Sequence, residues 1–225
     1  MRAPTLFDED LQDTVAPGVL VLTGNHDFQQ EKLTAYDVGG RIQLSGAASL
    51  SVSAFYNVYS DLRSVEWVRM DALPLLLAWG NLMQGRTYGV EVWGDYQPTD
   101  WWRLSAGVSV QHQSLSFKPG ASAVNDIDEA GDDPHSQASL RSTVNLGRRV
   151  SWTLALRHVG TLPDPHVPAY TEMDSSLAWN ATPRVQLSVS GANLLHARHL
   201  EYEEAGATVG DEIERSVFVA AKLRF

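Results

Sequence analysis

The stretch QASLRSTVNLGRRVSWTLALRH, residues 137–158, decides the fold. In its first half Leu140, Val144 and Leu146 fall at one parity, against Gln137, Ser139, Arg141, Thr143 and Asn145 at the other. In its second half Val150, Trp152, Leu154 and Leu156 alternate with Ser151, Thr153, Ala155 and Arg157. Side chains that change face at every residue belong to a strand with one apolar and one polar side, and Gly147-Arg148-Arg149 supplies the turn between two such strands. The segment reads as an antiparallel hairpin.

The same period runs outward in both directions. In 184–194, Val185, Leu187 and Val189 oppose Arg184, Gln186, Ser188 and Ser190; in 216–225, Val217, Val219, Ala221, Leu223 and Phe225 oppose Ser216, Phe218, Lys222 and Arg224. Similar runs cover 33–45, 48–63, 85–97, 101–117 and 169–181, so the pattern predicts nine strands. Many exceed the roughly 5–6 residues usual in soluble sheets and reach the roughly 9–11 that a tilted strand needs to cross a bilayer. Connections alternate: short ones at 45–47, 97–100, 146–149 and 181–184, long ones at 64–84, 118–134, 160–168 and 195–213. Short turns on one side and long loops on the other are the arrangement of an outer-membrane barrel. Tyr96, Trp101, Trp102, Trp152, Trp179 and Phe225 cluster near the short turns, where an interfacial girdle would lie, and Tyr56, Tyr59, Tyr88 and Tyr170 lie toward the long loops.

Composition agrees and excludes alternatives. Lys and Arg total 17 against 27 Asp and Glu, for a net charge of −10, which repels a phosphate backbone, so no nucleic-acid partner is expected. The absence of cysteine removes disulfide frameworks and Cys-ligated metal sites. The longest apolar run, Ala72 to Trp79, contains Pro74 and is far shorter than a spanning helix. Residues 1–20 carry Asp8, Glu9, Asp10 and Asp13 where a signal peptide needs apolar residues, so any targeting segment is expected outside this chain.

Several ordered motifs resemble TonB-dependent receptors, the outer-membrane importers of siderophores and similar scarce nutrients. Gly24-Asn25-His26-Asp27-Phe28, then Glu31 to Tyr36 and Gly39, is similar to the approach to a late barrel strand, with His26 in place of the usual Pro and Asp37 in place of Glu. Ala54-Phe55-Tyr56-Asn57, Tyr88-Gly89-Val90-Glu91 and Asn193-Leu194-Leu195 follow in the family's order, with His196 replacing an acidic or amide residue. The resemblance implies an all-β antiparallel transmembrane barrel, with this chain supplying about nine C-terminal strands of a larger barrel of the 22-stranded type. Residues 1–32 would be the end of a preceding strand, with Arg2 to Thr5 as its tail, plus an extracellular loop. Residues 33–225 would be the C-terminal barrel region. An odd number of strands leaves open edges in lipid, so the chain is read as a truncated or split receptor lacking plug and early strands. Implied partners are outer-membrane lipid, the TonB system through a plug domain outside this chain, the assembly machinery through Phe225, and a small-molecule ligand of unknown identity.

Candidate chemistry is sparse. The acidic stretch 126–133 lacks the glycine and closing glutamate of an EF-hand and reads as a solvated loop. His196, His199 and Glu201 are close in sequence, but in an irregular loop that spacing specifies no metal, and a polar loop is the favoured account. Glu91, Asp95, Arg103, Arg141, Arg157, Glu172, Asp174, Lys222 and Arg224 fall on the polar face, where they are expected to pair across strands or to meet a plug. No nucleophile has an identifiable base and no cofactor motif occurs, so neither an enzyme nor a cofactor site is expected. The competing readings are a porin-like channel or adhesin anchor, and a soluble all-β module with its apolar faces buried between sheets.

Overall fold

The computed structural model describes residues 2–122, 124, 133–163, 166–202 and 211–224. Phe225 and residues 126–132 of the acidic stretch lie outside the described residues. One short helix, α1 (Leu6–Asp10), precedes strands β1 (Gln12–Ala16), β2 (Leu20–Thr23), β3 (Lys32–Ser45), β4 (Ala48–Arg69), β5 (Leu75–Thr99), β6 (Trp102–Phe117) and β7 (Ser136–Leu146). They are followed by β8 (Val150–Val159), β9 (Tyr170–Asn180), β10 (Val185–Ala192), β11 (Arg198–Tyr202), β12 (Asp211–Glu214) and β13 (Ser216–Leu223). The chain falls into two compact units, one of residues 1–37, 55–88 and 112–131, the other of 38–54, 89–111 and 132–225.

In the second unit β6, β7, β8, β9, β10 and β13 pair antiparallel in that order. Their registers line up one lateral row on a single face: Trp102, Val144, Trp152, Leu177, Val189 and Val219. One residue along each strand, the opposite face carries Arg103, Thr143, Thr153, Ser176 and Ser190, ending on Phe218. The alternation legible in 137–158 is therefore shared by these six strands. Hydroxyls on the polar face bond across strands, Thr143 with Thr153 at 3.4 Å and Ser176 with Ser190 at 2.8 Å. Gly147 has φ of 65° at the β7–β8 turn, a backbone position that a β-carbon would strain.

Two serines break the apolar face, and both have a task there. The Trp102 indole N–H donates to Ser142 Oγ at 3.1 Å, and that of Trp152 to Ser175 Oγ at 3.0 Å. A donor facing an apolar medium without an acceptor is costly, so each serine satisfies an indole on the neighbouring strand.

The first unit departs from expectation in two places. Residues 64–84, expected as a long loop, are mostly strand: β4 runs to Arg69 and β5 begins at Leu75, with only 70–74 turning between them. Residues 2–31 hold more structure than a strand tail and a loop. Arg2 makes a single bridge with Glu31, and Thr5 caps α1 instead of continuing a strand. The sequence Thr5-x-x-Asp8 forms a capping box, with Asp8 N–H donating to Thr5 Oγ1 and Thr5 N–H donating to Asp8 Oδ2. The β1–β2 hairpin then pairs parallel with the start of β5, Leu20 opposite Leu75 and Thr23 opposite Ala78.

Among the described residues only Phe28, Leu77, Met83 and Val167 are buried hydrophobics, whereas Leu140, Trp152, Leu177, Val189 and Val219 are exposed. No described helix is long and apolar enough to cross a membrane, which leaves crossing by strands open.

Candidate functional site

Charged and polar side chains of the second unit converge where β8 leaves for 160–169, where β9 begins, and where β10 runs into the segment leading to β11. Register places Gly107, Ser139, Arg157 and Glu172 in one row of the polar face. Glu172 is fully buried, and the chain beyond β10 folds back over it. Asn193 makes that reversal at φ of 57°, a left-handed conformation that asparagine tolerates. Its amide donates to Asp174 Oδ1 at 3.0 Å, and its side-chain oxygen accepts from Arg157 at 2.8 Å.

Two residues later the Leu195 amide donates to Glu172 Oε2 at 3.1 Å. The two imidazoles close the site. His196 Nδ1 lies 2.7 Å from Glu172 Oε1, and His199 Nδ1 lies 3.3 Å from that same oxygen. His199 Nε2 bonds Glu201 Oε1 at 2.6 Å, and Glu201 in turn accepts from Arg157. Tyr170 covers the cluster, its ring centroid 4.8 Å from that of His199 and 5.5 Å from the Arg157 guanidinium carbon. Burial pushes the Glu201 carboxyl up, but hydrogen bonds from Arg157 and His199 outweigh it and hold the group below the ordinary carboxylate range.

The structure thus gathers His196, His199 and Glu201, which the sequence placed in a polar loop, around Glu172 and Arg157 from the polar-face set. Arg198 points elsewhere, to Glu214 at 3.0 Å and Glu212 at 3.8 Å. Among the described residues no three His, Asp or Glu side chains are arranged to hold a metal ion; in this cluster the donors face one another. Two other polar-face charges meet neutral partners. Asp95 accepts from Ser105 Oγ at 2.6 Å, and Arg103 donates to Gln97 at 3.2 Å. Beside them a cleft of about 350 Å³, lined by Trp93, Asp95, Ser105, Ser139, Arg141 and Asp174 among others, lies open on the polar face.

A separate polar network braces the first unit. Asp61, at φ of 60° within β4, accepts from Lys32 at 2.7 Å and from Lys118, and its carbonyl accepts from Asn81 at 2.8 Å. Asp8 is fully buried beside Arg2 at 3.0 Å and Arg63 at 3.5 Å. Burial pushes its carboxyl up, while bonds from the Thr5 hydroxyl and amide and the charge of Arg2 bring it below its ordinary value. Nothing in sequence spacing brings Asp61 to Lys118, or Glu172 to His199; the latter pair meets because the chain turns back at Asn193.

The family model for the TonB dependent receptor-like beta-barrel matches residues 1–194. No curated protein matches the chain in sequence. Among solved structures, the ferric yersiniabactin uptake receptor of Yersinia pestis is 21% identical with a TM-score of 0.68, covering 88% of this chain and 30% of its own. The ferric enterobactin receptor of Pseudomonas aeruginosa is 14% identical with a TM-score of 0.74, covering 97% and 36%. An iron transporter of Neisseria meningitidis is 13% identical with a TM-score of 0.73, covering 92% and 33%. The chain therefore spans about a third of each of these proteins, and at such identity the likeness is one of fold.

Proposed function

Because this chain belongs to the TonB-dependent receptor-like β-barrel family, we propose that it forms part of the wall of an outer-membrane uptake receptor for a ferric siderophore or a similarly scarce nutrient. The observation that carries this reading is the apolar row from Trp102 to Val219. It crosses six strands, stays largely exposed, and is backed by a polar row one residue away. Acyl chains would cover the first row and lumen water would bathe the second. The paired indoles of Trp102 and Trp152 near the short turns suit the headgroup level on the periplasmic side.

In this reading the polar network around Glu172 stands at the extracellular mouth, where ligand is captured. The open cleft beside Arg141 belongs to the lumen wall that the ligand passes when a plug domain yields to force delivered by TonB. The chain acts as receptor and transporter wall, not as an enzyme, in the outer membrane of a Gram-negative cell. Phe225 would address the assembly machinery. Uptake of labelled ferric siderophores by cells expressing a receptor in which this chain completes the barrel around its plug, with and without TonB, tests the reading. Accumulation that disappears without TonB is expected; accumulation indifferent to TonB would contradict it and favour an open channel.

A further inference from the structure

We propose that Arg148, Arg149, Arg184 and Arg224 form a cationic collar that binds the phosphate headgroups of anionic phospholipids at the short-turn end of the sheet. The collar rests on the reading of this sheet as a membrane wall, and adds to it a chemistry of lipid recognition.

Charge is unevenly distributed along these strands. The chain carries a net charge of −10, yet residues 134–158, 175–200 and 215–225, which hold the β7–β8 and β9–β10 turns and the last strand, contain no Asp or Glu. Glu172 and Asp174 at the start of β9, and Glu201, Glu212 and Glu214 in β11 and β12, all lie toward the long connections. Basic residues hold the other end. Arg148 and Arg149 turn the chain between β7 and β8, Arg184 stands just before β10, and Arg224 just after β13. Backbone bonds set these ends side by side: the Asn180 amide donates to the Arg149 carbonyl at 2.7 Å, and the Arg224 amide to the Arg184 carbonyl at 2.9 Å. All four arginines are exposed. Among the described residues the ion pairs of the second unit go to Arg157, His196, Arg198 and His199, so no carboxylate neutralises the collar.

The apolar face at the same end selects a lipid as the occupant. Leu146, Trp152, Trp179 and Leu223 are exposed there, and Trp179 stands opposite Val150, the residue after Arg149. An indole at the headgroup level with a guanidinium just beyond it lets the ring anchor in the interface while the long basic side chain reaches the phosphates. Arg184 and Arg224 take the polar parity, but they lie outside the strands, where their length lets them bend round the end of the sheet. The charges follow a line of strand ends about 4.8 Å apart instead of converging on one point, which suits a surface of many phosphates better than one soluble anion.

The receptor assembled with this chain, placed in vesicles of phosphatidylcholine and phosphatidylglycerol with one lipid or the other brominated on its acyl chains, tests this through tryptophan quenching, which reports the lipid beside Trp152 and Trp179. At about 0.02 M salt, phosphatidylglycerol should be preferred at least about fivefold, the effect of one basic residue near a charged surface, and the preference should fall toward parity at about 0.5 M. Arg148→Gln, Arg149→Gln, Arg184→Gln and Arg224→Gln combined should abolish it while leaving exchange protection at Thr153 and Leu177, inside β8 and β9, unchanged. Wild-type indifference to the headgroup would overturn the collar and is what an acidic protein partner predicts; a quadruple variant that keeps the preference would overturn it too. Wild-type tryptophans quenched by neither lipid would contradict the membrane wall itself, and the collar with it.

Discussion

Val189 and Ser188 adjoin in β10 and point to opposite faces: Val189 meets Leu177 and Val219, Ser188 meets Ala178 and Ala220. Val189→Arg should cost roughly 2–4 kcal/mol of folding stability in lipid, and Ser188→Arg far less, measured by denaturant titration of the protein in vesicles. Ser175 adds a second case. Ser175→Val orphans the Trp152 indole N–H and should cost about 1–3 kcal/mol in the same titration, whereas the double change with Trp152→Phe should recover much of it. The sequence alone shows Ser175 only as a blemish in an apolar run, because the donor that explains it sits 23 residues away. Asp8 carries a pH dependence. Its carboxyl titrates below its ordinary value when folded, so its contribution is present above the ordinary carboxylate range and lost as pH falls through the lowered value. Proteolytic protection of residues 2–11 should therefore hold at neutral pH and weaken on acidification, and Asp8→Asn should remove that change.

The hairpin of β4 and β5 shows how far an element can exceed its sequence pattern. At 22 and 25 residues, with a rise of about 3.3 Å each, the strands run some 70–80 Å, well beyond a hydrocarbon core of about 30 Å. Alternation over 48–63 and 85–97 made their spans legible. The continuation through 64–84 was not, because Leu75 to Trp79 is uniformly apolar where a two-faced strand alternates. Long-range partners explain that run: Leu20 to Thr23 pair along it, and Leu77 is buried. Close strand approach sets another demand at Gly85, where a β-carbon would stand 2.7 Å from the Ser114 carbonyl oxygen and collide with the Leu115 side chain. Gly85→Ala should cost about 1–3 kcal/mol, seen as a lowered midpoint of unfolding with the exchange of β8 and β9 amides unaffected.

Over the chain as a whole, the parity of residues 137–158 forecast which side chains share a row, and six strands keep that parity in register. The elements that escaped were short or nonlocal. α1, β1 and β2 have four or five residues each, too few for a period to emerge, and Thr5, read as a strand tail, instead caps the helix through Thr5-x-x-Asp8. The network around Glu172 draws on residues from 157 to 201, which only strand pairing and the turn at Asn193 bring together. With so few buried apolar side chains among the described residues, such a sheet in a membrane would owe its stability to the lipid covering the apolar row. The most direct measurement places spin labels at Leu154, Val189 and Val219, and at Thr153 and Ser188, in the protein assembled in lipid, and compares quenching by oxygen with quenching by a water-soluble nickel complex. The account predicts oxygen-dominated relaxation at the first three sites and nickel-dominated relaxation at the other two; labels at Val189 and Val219 shielded from oxygen, or without alternation along β8 and β10, would contradict it.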